Sequence, residues 1–251
     1  MKSMSKGKKV LFILLAVIVV LIGVSVITDT PPFVVIKGKV YPIFTKTLHL
    51  DGEFSNKDVK ALSHLRWVKN LSMECTLITD LSFLRKMNSL KIMSYNGHNI
   101  ENKTCNNIDD WYPLSNCKEL ERFVGINLDI SDLSAFNGTE NLKVLYIERH
   151  PSGLGSTNPE YSLTNISDVK LLVNLEIFEI FGNDIDDISS LRYCTKLREI
   201  TLYGITATDG SALLELPELE RLEIDKGVLT EKQVNMLREK GVDVHEREIS
   251  E

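Results

Sequence analysis

The sequence predicts an α/β solenoid. It would be a curved array with one parallel β-sheet on its concave side, short helical or 3-10 turns on its convex side, and capped ends. Three observations predict it. An Ile-x-Asp-apolar element occurs five times: Ile78-Thr-Asp80-Leu81, Ile108-Asp-Asp110-Trp111, Ile130-Ser-Asp132-Leu133, Ile166-Ser-Asp168-Val169 and Ile185-Asp-Asp187-Ile188. Apolar residues then continue at steps of three, as in Leu84/Met87/Leu90, Leu114/Cys117/Leu120 and Leu191/Cys194/Leu197, while the fourth copy offers only Leu172/Leu175. A worn sixth copy reads Ala207-Thr-Asp209-Gly210. Finally, an alternating apolar segment closes each unit, and self-similarity at a period in the low twenties marks stacked units.

The fullest unit, Leu175-x-x-Phe178-x-Ile180-x-x-Asn183-x-Ile185, fits the leucine-rich-repeat template. Its register recurs at Val68/Leu71/Met73, Leu90/Met93/Tyr95, Leu120/Phe123/Gly125, Leu142/Leu145/Ile147, Leu197/Ile200/Leu202 and Leu219/Leu222/Ile224. The alternating part is a short strand, with one set of side chains inward and the other outward. The Asp of each element stands where its carboxylate accepts from backbone N–H groups at the start of the convex turn. No unit buries its apolar face alone, so stacking builds one continuous core. This register, with the Ile-x-Asp-Ile signature, resembles the internalin-like bacterial leucine-rich-repeat proteins, membrane-anchored or secreted, from about Val34 to Val244. One departure is that the Asn expected to ladder along the turn is present only as Asn183; Thr76, Leu128, Ile205 and Gly227 hold the matching slots.

The elements follow in order. Residues 1–9 are a basic cytoplasmic segment with Lys2, Lys6, Lys8 and Lys9, and residues 10–27 are an 18-residue apolar run. At 1.5 Å per residue that run spans about 27 Å, near the thickness of a hydrocarbon core. It reads as a transmembrane anchor with the N-terminus cytoplasmic and the repeats extracellular. The alternative is a signal segment cleaved after Gly23-Val24-Ser25, which would leave a secreted domain. Residues 28–47 are a linker and an N-terminal β-hairpin cap with Gly38 in its turn. Residues 48–229 are the repeats, the first reading as helix-like from Ser55 to Leu65. Residues 230–251 are a C-terminal helix-strand cap and tail, with Thr230 and Gln233 at capping-box spacing and Gly241 as the stop. Two lengthened repeats place loops at 97–107 and 149–162, on the same edge of the array.

Beyond the four N-terminal lysines the chain carries 25 basic and 35 acidic residues, a net charge of −10. That balance, without a Lys/Arg stripe, argues against a nucleic-acid partner. Cys117 and Cys194 fall in core slots, while Cys75 and Cys105 follow adjacent strands and are candidates to pair. The five histidines lack metal-ligand spacing, and no phosphate loop or nucleophile elbow occurs. We therefore expect no catalytic residues, no cofactor and no metal.

The outward positions of the strands can be read from the register. They place Ile92, Val124, Ile126, Val144, Tyr146, Ile177, Phe181 and Tyr203 on the concave face, flanked by an acidic rim of Glu148, Glu179, Glu199, Glu223 and Asp225. Contiguous apolar side chains outside the core mark a binding surface, and aromatics are favoured anchors. The expected function is an extracytoplasmic binding module for a protein or peptide. The alternative is a structural, envelope-associated protein that self-associates or contacts glycans.

Overall fold

The computed structural model describes residues 32–97, 108, 110–128, 130–149 and 162–248. The 10–27 run and almost all of both loops lie outside them. Among the described residues no helix is long and apolar enough to cross a membrane.

Strands β1 (Phe33–Ile36) and β2 (Lys39–Pro42) form an antiparallel hairpin. Lys37 and Gly38 both take positive φ in its two-residue turn, the geometry that matches strand twist in a hairpin. The remaining strands form one parallel sheet in chain order. They are β3 (Thr47–Leu50), β4 (Asn70–Glu74), β5 (Ile92–Asn96), β6 (Arg122–Ile126), β7 (Val144–Glu148), β8 (Ile177–Phe181), β9 (Glu199–Tyr203), β10 (Arg221–Asp225) and β11 (Asp243–Arg247). Each pairs residue for residue with the next. Leu71, Met93, Phe123, Leu145, Phe178, Ile200 and Leu222 make one inward column, and Met73, Tyr95, Gly125, Ile147, Ile180, Leu202 and Ile224 another. The apolar core is continuous from Val34 to Val244. This is a curved leucine-rich-repeat solenoid.

The convex turns explain the steps of three. Leu84 N–H donates to Leu81, Met87 to Leu84 and Leu90 to Met87, and the same chain of bonds recurs at Val169/Leu172/Leu175 and Leu191/Cys194/Leu197. A 3-10 helix has three residues per turn, so side chains at i and i+3 eclipse. Apolar residues at that spacing all point into the core. The caps are as the chemistry requires: Asp80, Asp110, Asp132, Asp187 and Asp209 each accept from the backbone N–H two residues on, at 2.7 to 2.9 Å. Those bonds hold the Asp187 and Asp209 carboxyls below their usual range.

The fourth copy departs from the sequence reading. Its cap is Asn165, whose Oδ1 accepts from Ser167 N–H at 2.8 Å, and Ile166 occupies the slot of Leu81. The unit is therefore Leu163-Thr-Asn165-Ile166 followed by Val169/Leu172/Leu175, three residues earlier than Ile166-Ser-Asp168 implied. An amide oxygen caps a turn as a carboxylate does, so a pattern keyed on Asp slips here. Asp168 instead accepts from Asn137 Nδ2.

The worn sixth copy has a cause too. A Cβ on Gly210 would lie 2.1 Å from Leu229 Cδ2. Leu229, from the segment before the terminal helix, fills the slot that Leu, Ile or Trp fills elsewhere. That helix, α2 (Glu231–Glu239; α1 is Val59–Leu62), starts at Thr230, which accepts from Gln233 N–H while Gln233 Oε1 accepts from Thr230 N–H. It packs against β11. Cys75 is disulfide-bonded, whereas Cys117 and Cys194 are buried free thiols. Cys105, the candidate partner of Cys75, lies outside the described residues. Cys117 and Cys194 donate to the carbonyls of Leu84 and Val169 in the preceding repeats, and burial pushes both thiols up to about 12.

Candidate functional site

The pairing register puts the outward residues into three columns on the solvent side of the sheet. The first runs Ile92, Arg122, Val144, Ile177, Glu199; the second Ser94, Val124, Tyr146, Glu179, Thr201, Glu223; the third Asn96, Ile126, Glu148, Phe181, Tyr203. Val144 therefore neighbours Ile177, Val124 neighbours Tyr146, and Phe181 neighbours Tyr203. Ile92 stands apart in its column behind Arg122, and is the one of the eight that is openly exposed, at 42%. The other seven are half-buried, because each leans on its column neighbours.

The aromatic members form a ladder. Tyr146 and Phe181 have ring centroids 5.2 Å apart, and Phe181 and Tyr203 are edge-to-face at 5.8 Å. Both spacings suit attractive ring pairs. The Arg247 guanidinium, from β11, lies over the Tyr203 ring at 4.0 Å and closes the ladder. Gly182 and Gly204 directly follow Phe181 and Tyr203, with φ of +67° and +72°. A Cβ on Gly182 would meet the Arg149 carbonyl oxygen at 2.4 Å, so the chain turns out of these strands by a close backbone approach that only glycine permits. The repeated aromatic-Gly pair was the signal in the sequence for this turn.

The hydroxyls are tied to carboxylates. Tyr146 donates to Glu148, and Tyr203 to Glu223 at 2.8 Å. Burial first, and then those carboxylates, push the Tyr146 phenol well up and Tyr203 up to about 12. The acidic rim needs a correction. Asp225 is only 2% exposed and pairs with Arg247 at 2.7 Å, while Glu223 is bound by Arg221, which holds its carboxyl low. Two of the five carboxylates are thus neutralised by Arg221 of β10 and Arg247 of β11. Glu179 is half-buried, and burial, followed by the charges of Glu199 and Glu223, raises its carboxyl despite opposition from Arg122 and Arg221.

Among the described residues no group of three His, Cys, Asp or Glu side chains is placed to hold a metal. What the face offers is shape, apolar contact and charge.

No family model and no curated protein sequence matches the chain. Solved structures do. Internalin C2 of Listeria monocytogenes superposes with a TM-score of 0.55 at 19% identity, over 84% of this chain and 80% of that one. Internalin F of the same organism gives 0.49 at 19% identity, over 76% of this chain and 57% of that one. At such identity the first likeness shows the fold alone.

Proposed function

We propose that this protein is a non-enzymatic binding module, held outside the cytoplasm, that recognises a protein or peptide on its concave sheet. The observation that carries the reading is the ladder Tyr146–Phe181–Tyr203 on the solvent side of strands whose inward columns already complete the core. Rings with few torsions lose little entropy when a partner orders them, and half-buried aromatics of this kind are favoured hot spots. The bonded Cys75 supports an oxidising compartment. The 10–27 run, behind four lysines, supports an anchor.

The test is capture from the native cell envelope with the full chain, followed by affinity measurement on the partner obtained. Tyr146→Ala with Phe181→Ala should weaken binding by about 2 kcal/mol or more and leave a cooperative thermal transition. Unchanged affinity sinks the concave-face reading. Topology is checked separately: the anchor reading expects the full-length chain in salt-washed membranes, and a mature N-terminus at Val26 would make the domain secreted.

A further inference from the structure

Strands β7 and β8 carry a checkerboard. In the second column Tyr146 faces Glu179, and in the third Glu148 faces Phe181. One diagonal is the ring pair at 5.2 Å; the other is a pair of carboxylates. Neighbouring strands of a sheet lie about 4.8 Å apart, so all four groups fit under one or two side chains of an extended segment laid across the face. Among the described residues no lysine, arginine or histidine forms an ion pair with Glu148 or Glu179. Two other acidic residues at the ladder do have a cation: Asp225 has Arg247 and Glu223 has Arg221.

The far end of the same ladder shows what such a checkerboard accepts. There a guanidinium lies over the Tyr203 ring while binding the Asp225 carboxylate, with Nε 2.8 Å from Oδ1. Arg247 thus combines a ring face and a carboxylate from neighbouring strands. The Tyr146/Glu148/Glu179/Phe181 square offers the same two contacts: Glu148 accepts from the Tyr146 hydroxyl and Arg122 lends its charge to Glu179, but no cation of the described residues forms an ion pair with either carboxylate. Resting on the concave-face reading above, we propose that this square seats a lysine or arginine of a basic peptide segment. Its charge would lie between Glu148 and Glu179 and its stem or guanidinium on the rings. A cation over an aromatic face is attracted by the ring quadrupole, more so when partly desolvated. The paired arginines leave the face acidic around the square, where Glu199 adds a further carboxylate, so charge complementarity also selects a basic partner. The raised Glu179 carboxyl fits this view: an arriving cation relieves the cost that burial and the neighbouring acids impose.

The experiment uses the full chain in lipid nanodiscs and a short fluorescein-labelled peptide alternating arginine with serine, read by anisotropy. A peptide with glutamine in place of arginine is the neutral control. We expect the arginine peptide to bind, and the glutamine peptide to bind at least about tenfold more weakly. Glu148→Gln with Glu179→Gln, and Tyr146→Ala with Phe181→Ala, should each weaken the arginine peptide by at least about tenfold. Glu218→Gln with Glu239→Gln, two exposed acids off the face, should stay within about twofold. Thermal transitions of all variants confirm that they fold. The proposal is overturned if the arginine peptide does not bind at ~1 mM, if the off-face pair loses as much as the square, or if the Glu pair loses nothing. Selection from a random peptide display library separates the two readings. Enriched peptides that need Tyr146 and Phe181 but not Glu148 and Glu179 would overturn the cation seat and keep the concave face. No peptide dependent on either pair would overturn both.

Discussion

The two ends of the concave face share one backbone and differ in what they carry. On β4 and β5 the outward columns hold Asn70, Ser72 and Glu74, then Ile92, Ser94 and Asn96. On β7, β8 and β9 they hold Val144, Tyr146 and Glu148, then Ile177, Glu179 and Phe181, then Glu199, Thr201 and Tyr203. Both regions have unbroken parallel ladders, and in both the inward columns are buried. The scaffold is therefore complete without aromatics on its outer side. On the function proposed above the rings there serve contact with a partner, whereas the charge pairs Lys91–Glu121 and Arg198–Glu220, at the entrances to the strands, are exposed and contribute little.

The largest effect should come from breaking what the two regions share. Leu145, fully buried between repeats, changed to Asp puts an unpaired charge in the stacked core. We expect a loss above about 4 kcal/mol, with the cooperative transition abolished; an unchanged thermal midpoint would mean that the inward column has been misplaced. Next comes a contrast within one strand. Phe178 is fully buried and Phe181 half-buried, three residues apart on β8. Phe178→Ala should cost about 3–5 kcal/mol of stability, and Phe181→Ala about 1 kcal/mol, the value of a surface ring pair, both read by denaturant titration. Equal losses would show the outer rings to be core.

A smaller effect separates two glycines with positive φ. A side chain at Gly182 meets the Arg149 carbonyl, while one at Gly227, φ +98°, meets nothing within 4 Å. Both alanine variants are strained by backbone conformation, by about 1 kcal/mol or more. Gly182→Ala should lose measurably more, because it also forces β7 and β8 apart at the ladder. Equal losses would leave backbone strain as the whole effect.

The smallest concerns Glu179 and its pH dependence. Its folded carboxyl is raised, by burial first and then by Glu199 on β9 and Glu223 on β10, with Arg122 on β6 and Arg221 on β10 opposing, while Tyr146 beside it stays neutral. The folded state thus holds this proton more tightly than the unfolded chain does. Stability falls as pH rises from the ordinary carboxylate range through the raised value. Glu179→Gln removes that fall, so its stability relative to the parent should be greater at neutral pH than in acid. A pH-independent difference would show that Glu179 is well solvated.

Much of this was legible in the sequence because it is written in short spacings. Steps of three fix the convex turns, alternation fixes the strands, and the two together fix which of Phe178 and Phe181 faces inward. The eight outward positions follow from that register alone. What the spacings missed depends on residues far apart in the chain. Asn165 replaces Asp as a cap, which shows only when Val169, Leu172 and Leu175 are seen to share one slot series with their neighbours.

The sequence by itself thus determined the solenoid, its inward columns and the line of aromatics, since a repeat carries the same local periodicity in every copy and stacking needs nothing more. Only the tertiary structure decided which carboxylates on the face are open. Arg247 reaches Asp225 from the next strand and the Tyr203 ring from two strands on, and Leu229 fills the gap left by Gly210 from 19 residues away. Such contacts have no period. They depend on which side chains adjacent turns bring within a few ångströms of one another, and at the end of a solenoid a capping segment answers to the last repeat and not to the pattern.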